Sequence, residues 1–288
     1  MPAIRLAHSP DADDAFMFYA LAQGKIATGD RSYIHELADI ETLNQRALRE
    51  ELDVTAVSIH AYAHLADRYA LLPHGASMGD RYGPRLVARE PAGGDARQSM
   101  RGRRIAVPGE LTTAFLALRL YQSDFQPVMT PFDQIESAVL TGSVDAGLLI
   151  HEGQLTYATQ GLHLWVDLGE WWFAETGLPL PLGGNAIRRA LGPELMRAVS
   201  GDLRASIAFG LAHRDDALRH AQGFSRGLDR ATTDVFVGMY VNQLTLDYGV
   251  RGRRAVETLL QRGAQAGLVP QTSVSFVEDG ESSQPARC

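Results

Sequence analysis

Short apolar runs alternate along the first two thirds of the chain with longer segments in which apolar residues recur every three or four positions. The short runs predict β-strands at residues 4–7, 33–37, 54–57, 85–88, 104–107, 147–150 and 164–168, of which those at 4–7 and 147–150 are expected to be buried. The longer segments, such as residues 39–50, predict amphipathic helices, and from residue 193 the pattern is almost wholly helical. The alternation predicts an α/β fold. A polar tail, residues 271–288, follows, and we expect its end to be disordered.

Two irregular segments predict where the chain passes between domains. Residues 90–101 are polar and contain glycine, and residues 179–184 are rich in proline and glycine. We therefore expect two α/β lobes with a ligand cleft between them. One lobe would consist of residues 1–88 plus 185–288, and the other of residues 89–184.

Composition narrows the class of protein. With 288 residues, of which 45% are hydrophobic, the chain is long enough for two domains with substantial cores. Its 27 Lys and Arg residues against 34 Asp and Glu residues give a net charge of −7. This balance argues against a partner that is nucleic acid or an anionic membrane. The short arginine-rich runs at residues 101–104 and 251–254 are interpreted as solvent-exposed surface.

Cysteine content and the amino terminus bear on the compartment. Cys288 is the single cysteine of the sequence, so no intramolecular disulfide and no cysteine-based metal site is expected. The amino terminus lacks a basic segment followed by an apolar run, and no stretch reaches the roughly 18 apolar residues of a membrane span. We expect a cytoplasmic protein.

The segment AGLLIHEGQLTY, residues 146–157, carries the leading candidate for chemistry. Its buried strand ends on the adjacent pair His151 and Glu152. Ligands of open α/β sheets collect at the carboxyl ends of strands, and imidazole titrates near neutral pH, so His151 is a candidate catalytic group. Taken alone, such a pair is more often a capped strand with a solvated turn.

Three other strand ends carry hydroxyl side chains at the start of a predicted helix. Ser9 follows the first strand, Ser58 follows the third, and Thr112 with Thr113 follows the strand at residues 104–107. The unpaired N–H groups of a helix start bind anions, so a substrate carboxylate is expected at the two threonines. The alternative for each residue is an N-cap without a ligand.

The loop after the first strand is acidic, with Asp11, Asp13 and Asp14. It lacks the glycine and the distal glutamate of a calcium-binding loop, so we expect these aspartates to cap the following helix and to interact with its dipole. The segment VPGELTT contains too few glycines for a phosphate-binding loop or a dinucleotide fingerprint.

Six segments, taken in order, carry a family resemblance: HSPDADDAFMFYAL, SIHAYAHLADRYALL, IAVPGELTTAFLAL, AGLLIHEGQLTY, DLGEWWFAETGLPLPLG and YVNQLTLDYG. Over residues 4–268 the chain resembles the 1,4-dihydroxy-6-naphthoate synthase family of the futalosine route to menaquinone. Each segment is a weak signal, but their order and spacing are specific. The resemblance implies the two-lobed fold of type II periplasmic binding proteins, with the active site in the cleft between the lobes.

The resemblance also implies an activity. The family converts cyclic dehypoxanthine futalosine, a carboxylate-bearing polyol, into 1,4-dihydroxy-6-naphthoate and releases dihydroxyacetone. Removal of a hydroxyl proton by a neutral imidazole would start this carbon–carbon cleavage, and neither a metal nor a redox cofactor is expected. By motif, the proposed general base matches His151, and the substrate-contacting stretches match Thr112 and Thr113, and Ala56, Val57 and Ser58.

One loop departs from the family pattern. A common family form reads SPCPND where this chain has SPDADD at residues 9–14. Asp11 therefore stands in place of a cysteine, and Ala12 in place of a proline. The contacts of this loop with substrate, including those of Ser9, stay open at this point.

Two other functions are compatible with the same fold. A solute-binding protein without catalysis would normally carry a signal peptide, and no such pattern is found at the amino terminus. Chorismate dehydratase, a fold-related enzyme of the same pathway, would act on a different substrate. The IHE and VNQLTLDYG segments favour the synthase.

Overall fold

The computed structural model describes residues 3–278 of the chain. Within this range the strands are β1 (Ile4–His8), β2 (Tyr33–Leu37), β3 (Val54–Ser58), β4 (Tyr69–Leu71), β5 (Ser77–Gly79), β6 (Arg85–Ala88), β7 (Arg104–Val107), β8 (Gln126–Met129), β9 (Ala146–Leu149), β10 (His163–Asp167) and β11 (Leu180–Arg188). The α-helices are α1 (Ala12–Ala22), α2 (Ile40–Leu48), α3 (Ile59–Tyr62), α4 (Ala96–Met100), α5 (Thr113–Tyr121), α6 (Ile135–Leu140), α7 (Gly153–Thr156), α8 (Leu168–Thr176), α9 (Pro193–Ala212), α10 (Arg214–Ala221), α11 (Arg230–Tyr240), α12 (Gln243–Leu246) and α13 (Gly249–Gln265).

The strands form two sheets, and the predicted α/β class is confirmed. The first sheet has the order β2-β1-β3-β11-β4, with β5 also paired to β11. In it β1 runs parallel to β2 and β3, whereas β11 is antiparallel to its neighbours. The second sheet has the order β10-β6-β9-β7-β8. Here β7 is parallel to β8 and β9, and β6 is antiparallel to β9 and β10.

The segment predicted as the second crossing, residues 179–184, is instead largely part of a strand. Residues 180–184 form the first half of β11, with Leu180 fully buried. Pro181 is accommodated because the pairing with β5 shifts register between Pro181 and Gly183. A proline has no N–H to give to a ladder, and it is therefore tolerated at such irregularities. The prediction was wrong because proline and glycine were taken as loop markers.

Sheet pairing also corrects the expected lobe boundaries. Strand β6 was assigned to the first lobe as part of residues 1–88, but it pairs with β9 and β10 in the second sheet. The chain thus crosses between β5 and β6 and returns between β10 and β11. The two crossings lie side by side, since Leu168 N donates to Pro84 O at 2.9 Å. Gly169 permits this approach, because a Cβ there would collide with the carbonyl of Tyr82.

The helices predicted beyond residue 193 are confirmed, and three of them cover the first sheet. Helices α9, α10 and α11 pack around α1, whose Phe16 and Phe18 are fully buried together with Ile207 and Phe236. This packing fixes α1, and with it the loop between β1 and α1, at the edge of the cleft. None of the helices within residues 3–278 is long and apolar enough to cross a membrane.

The beginning of the polar tail packs against the first sheet. Leu71 N donates to Ser275 O at 3.0 Å, and Val277 N donates to Leu71 O at 2.8 Å. Val277 is buried. The tail therefore extends the edge of β4 up to this residue. The end that we expected to be disordered, residues 279–288, lies outside the described residues.

Candidate active site

A cavity lies between the two sheets, where the carboxyl ends of β1, β3, β7 and β9 meet. It holds about 750 Å³ of space without protein atoms, part of it open to solvent. Every residue selected from the sequence lines it: Ser9, Ala56, Val57, Ser58, Thr112, Thr113 and His151. Four strand ends that are distant in sequence thus contribute to one site.

His151 lies two residues beyond the end of β9, with a side chain that is 16% exposed. Its Nδ1 is 3.3 Å from Oδ2 of Asp11, which comes from the opposite lobe. The imidazole packs edge-on against the ring of Phe132, with 4.3 Å between the ring centroids. The ring is thus held on two sides while it still reaches the cavity, as a group that exchanges protons with a ligand requires.

Asp11 does not cap helix α1, contrary to the prediction from sequence. It occupies the N-cap position, but its side chain makes no capping hydrogen bond. Its carboxylate instead contacts His151 and Arg226. Burial alone would raise the pKa of Asp11, but its contacts with His151 and Arg226 outweigh burial and lower it. Asp11 is therefore a carboxylate at neutral pH.

The pKa values of the other two aspartates of the loop, Asp13 and Asp14, are shifted in the opposite direction. Asp14 accepts a hydrogen bond from Ser9 N at 2.7 Å, and burial followed by the charge of Asp11 raises its pKa to about 7. Burial and the neighbouring carboxylates also raise the pKa of Asp13 well above its usual range. Both residues line the cavity. The site therefore contains one carboxyl group, that of Asp14, which is partly protonated at neutral pH, and a second, that of Asp13, whose pKa is shifted in the same direction.

Ser58 is held by an asparagine that sequence reasoning missed. Asn44 on α2 is fully buried; its Oδ1 accepts from Ser58 N at 2.9 Å, and its Nδ2 donates to Ser58 Oγ at 3.1 Å. Because Ser58 Oγ is the acceptor, its hydroxyl hydrogen is left for another group, and Ser58 faces the cavity. The sequence signal that could have identified Asn44 is its amide side chain, which stands one helical turn after Ile40 on the apolar side of the predicted helix.

The hydroxyls of both threonines are engaged within the protein. Thr112 is the N-cap of α5: its Oγ1 accepts from Phe115 N at 3.3 Å and donates to Gly109 O at 2.9 Å. Thr113 Oγ1 donates to Leu182 O at 2.6 Å. Thr112 therefore caps α5 with its side chain. Neither hydroxyl has a hydrogen left to give to a ligand.

What α5 offers to the cavity is its backbone. Within residues 3–278, the N–H groups of Thr113 and Ala114 have no hydrogen-bond acceptor, and both residues line the cavity. Free N–H groups and the helix dipole favour an anion at this point. In the described part of the chain no Lys or Arg lines the cavity. A carboxylate here would depend on these amides.

The lobes touch each other across the cavity. Glu41 on α2 accepts from Leu111 N at 3.1 Å, and His60 N donates to Thr113 Oγ1 at 3.1 Å. His60 is buried, and burial lowers its pKa to about 4, so that its ring is neutral at physiological pH. The structure thus describes an arrangement in which the cavity is bounded on both sides.

Arg226 is a second residue that sequence reasoning missed. It lies between the 3-10 helix Gln222–Phe224 and α11 and adopts a left-handed backbone conformation with φ of 50°. Its guanidinium pairs with Asp11 and, at 2.8 Å, with Oε2 of Glu152. No local pattern around residue 226 distinguishes it from the other surface arginines of the chain.

Replacing Thr112 by valine is expected to lower the stability of the protein more than its affinity for substrate. Loss of an N-cap costs about 1 kcal/mol of unfolding free energy, whereas the ligand-facing amides of α5 stay in place. Urea denaturation measures the first effect and substrate affinity the second. Thr258→Val, a helical threonine of α13 that bonds only to Arg254 O, is the control. Unfolding at the same urea concentration in both variants would contradict the capping role.

Comparison with known proteins identifies relatives over almost the whole chain. A family model described as menaquinone biosynthesis matches residues 4–265. A 1,4-dihydroxy-6-naphthoate synthase of Thermus thermophilus is 42% identical, with 93% of this chain and 96% of the relative covered. A protein of the same name from Streptomyces coelicolor is 40% identical, with 93% and 95% covered.

Solved structures extend the comparison to the fold. A protein of Archaeoglobus fulgidus is 49% identical and superimposes with a TM-score of 0.88, covering 93% of this chain and 98% of that one. The alkanesulfonate-binding protein of Xanthomonas axonopodis is 12% identical with a TM-score of 0.69, covering 93% and 94%. At this low identity the second match shows the fold alone. The expected periplasmic-binding-protein fold is confirmed.

Proposed function

This chain belongs to the menaquinone biosynthesis family, and on that basis we propose that it converts cyclic dehypoxanthine futalosine into 1,4-dihydroxy-6-naphthoate and dihydroxyacetone. The proposed reaction is a carbon–carbon cleavage started by a general base. One observation carries the proposal: His151 lines the same cavity as Ser58 and the open amides of α5. The proposed base, His151, and the anion site at the start of α5 therefore face the same bound ligand.

His151 is the proposed base. A neutral imidazole removes the proton of a substrate hydroxyl, that oxygen becomes a carbonyl oxygen, and the adjacent carbon–carbon bond breaks in a retro-aldol sense. The electron pair of that bond passes to the other fragment as an enolate, to which the imidazolium returns a proton. Aromatisation of the remaining ring favours the cleavage. General-base catalysis of this kind typically contributes about 10²–10⁴ in rate. The contacts of His151 with Asp11 and Phe132 support this role, because they hold the ring in one orientation.

The carboxylate of the substrate is proposed to bind at the start of α5. The N–H groups of Thr113 and Ala114 would donate to it, and the hydroxyl of Ser58 would add a third hydrogen bond. The absence of Lys and Arg among the described lining residues favours the amides. Helix starts bind anions in this manner without a cationic side chain.

The hydroxyl groups of the substrate are proposed to meet Asp13 and Asp14. With a pKa of about 7, Asp14 is present in both protonation states near neutral pH. A protonated carboxyl donates a hydrogen bond and an ionised one accepts. The pair therefore suits a ligand whose hydroxyls both donate and accept. An anionic group would be disfavoured here and directed to α5.

Incubation with cyclic dehypoxanthine futalosine, followed by mass analysis, tests the proposal. Formation of 1,4-dihydroxy-6-naphthoate with an equal amount of dihydroxyacetone is expected. Chorismate is supplied in a parallel reaction, because conversion of chorismate alone would identify a chorismate dehydratase instead. If neither compound is consumed but one binds, the protein is a binding protein with this fold. Either outcome would overturn the proposal.

Ser58→Ala is expected to raise KM about 10- to 100-fold with a smaller change in kcat. A hydrogen bond to a charged group contributes about 1.5–3 kcal/mol, and 1.4 kcal/mol corresponds to tenfold. Steady-state kinetics measure both constants. The control is Ser200→Ala on α9, a buried serine that does not line the cavity, which should leave KM unchanged. An unchanged KM for Ser58→Ala would remove this serine from the substrate contacts.

A further inference from the structure

The loop between β1 and α1 supplies the partner of His151. The Asp11 side chain is 4% exposed and comes from the first lobe, whereas His151 comes from the second. The aspartate is at the N-cap position of α1 but does not cap the helix. Its carboxylate is therefore committed to other partners.

Those partners hold both oxygens of the carboxylate. Oδ2 is 3.3 Å from Nδ1 of His151, and Oδ1 accepts a charge-assisted hydrogen bond from Arg226. Arg226 is fixed in turn, because it also donates to Glu152 at 2.8 Å and its guanidinium carbon lies 4.5 Å above the ring of Phe132. The same ring packs against His151. The five side chains form one connected cluster between the lobes.

We propose that Asp11, held by Arg226, is a positioning residue for His151. Asp11 accepts the hydrogen of Nδ1, so that Nε2 carries the lone pair and takes the substrate proton. A carboxylate that receives one imidazole N–H fixes both the tautomer and the orientation of the ring. The distance of 3.3 Å is long for a hydrogen bond, but such contacts often shorten when substrate binds. The proposal rests on the proposed function of His151.

Arg226 compensates the cost of burying the Asp11 carboxylate. A buried carboxylate without a partner is costly, and a guanidinium on one oxygen compensates its charge while the other oxygen stays free for the imidazole. Since Arg226 also binds Glu152, the residue next to His151, it ties the loop after β9 to the start of α1. Asp11 and Arg226 thus act as a pair.

A kinetic double-mutant cycle tests the proposal. Asp11→Asn is expected to lower kcat about 10- to 100-fold, with a smaller change in KM. A loss of this size is typical when the group that orients a functional histidine ring is removed. In a His151→Asn background the same change should have no further effect on kcat, because Asp11 acts through His151. If Asp11→Asn lowers kcat by the same factor in the wild type and in the His151→Asn variant, the proposal is overturned. Asp95→Asn, at the N-cap of α4, is the control and should leave kcat unchanged.

Asp11→Cys, a second substitution that removes the carboxylate, guards against a folding defect in the asparagine variant. It should fold, as checked by circular dichroism, and show a lowered kcat. Arg226→Gln should lower kcat in the same direction. Wild-type kcat in a folded Asp11→Cys variant would show that the carboxylate is dispensable and would overturn the proposal.

Nitrogen-15 NMR of labelled histidine reads the tautomer without any turnover. The signal lost in His151→Asn identifies His151; in the wild type its Nδ1 should be protonated, and in Asp11→Asn this preference should disappear. An unchanged tautomer would overturn the positioning role. If His151→Asn retains full turnover, the proposed role of His151 as the base fails, whereas the NMR result still decides whether Asp11 controls the imidazole. The two failures are therefore distinguishable.

Discussion

Replacing His151 by asparagine is expected to reduce kcat by about 10²–10⁴, while the substrate still binds. Asparagine retains polarity and some hydrogen bonding but does not accept a proton near neutral pH. Loss of a general base lowers the rate of the chemical step and leaves ground-state contacts largely intact. Single-turnover kinetics give the rate of this step, and isothermal titration calorimetry gives the affinity. The loss should therefore appear in kcat rather than in Kd.

His8→Asn is the matched control, because His8 also stands at the carboxyl end of a strand. Its ring is buried, stacks on Phe18 with 4.5 Å between the centroids, and does not line the cavity. Burial lowers the pKa of His8 to about 4. This variant should lose stability but keep most of its turnover at a temperature where it is folded. Near-normal kcat in the His151 variant, or loss of turnover only in the His8 variant, would refute the assignment.

Much of the cavity was predictable because it is built from strand ends. Strands at residues 33–37, 85–88 and 104–107 occur at their predicted bounds. Parallel strands of one sheet end at the same edge, so residues that directly follow them converge even when they are far apart in sequence. Ser58 and His151 were found by this reasoning. Each follows a short apolar run that leaves little choice of secondary structure.

Sheet membership could not be derived in the same way. The apolar run of β6 predicts a strand, but it contains nothing that specifies which lobe supplies its partners. Antiparallel pairing with β9 and β10 is decided by contacts across about 60 to 80 residues of chain. Strand β11 was missed for a related reason, since its proline and glycines are tolerated only at a register shift that the partner strand determines.

Residues that hold others in place were also not predictable. Asn44 binds Ser58 from the side of a helix, and Arg226 binds Asp11 from a loop 215 positions further along the chain. A buried polar group needs a partner, but the sequence does not say which one. Asp11 was assigned to helix capping because an aspartate before a helix usually has that role. In the structure the carboxylate of Asp11 contacts His151 of the other lobe instead of capping the helix.

Replacing Asp14 by asparagine is expected to stabilise the protein at pH 8 by up to about 4 kcal/mol, the equivalent of a pKa raised from 3.8 to about 7. Between these two pH values the unfolded chain releases a proton that the folded protein retains, so the wild type loses stability as the pH rises. Asparagine is uncharged and still accepts from Ser9 N. The gain should therefore be small at pH 4, grow up to pH 7 and stay constant above it.

Thermal or urea unfolding across this pH range measures the gain, with Asp67→Asn as the control, because the Asp67 side chain is 77% exposed. The control should show no comparable rise. A gain of equal size at pH 4 and pH 8 would contradict the protonation argument, since it would have to come from packing. Because Asp14 lines the cavity beside the proposed hydroxyl contacts, the stabilised variant is also expected to have a lower kcat/KM. A buried carboxyl that weakens the fold at neutral pH is retained where a ligand uses it.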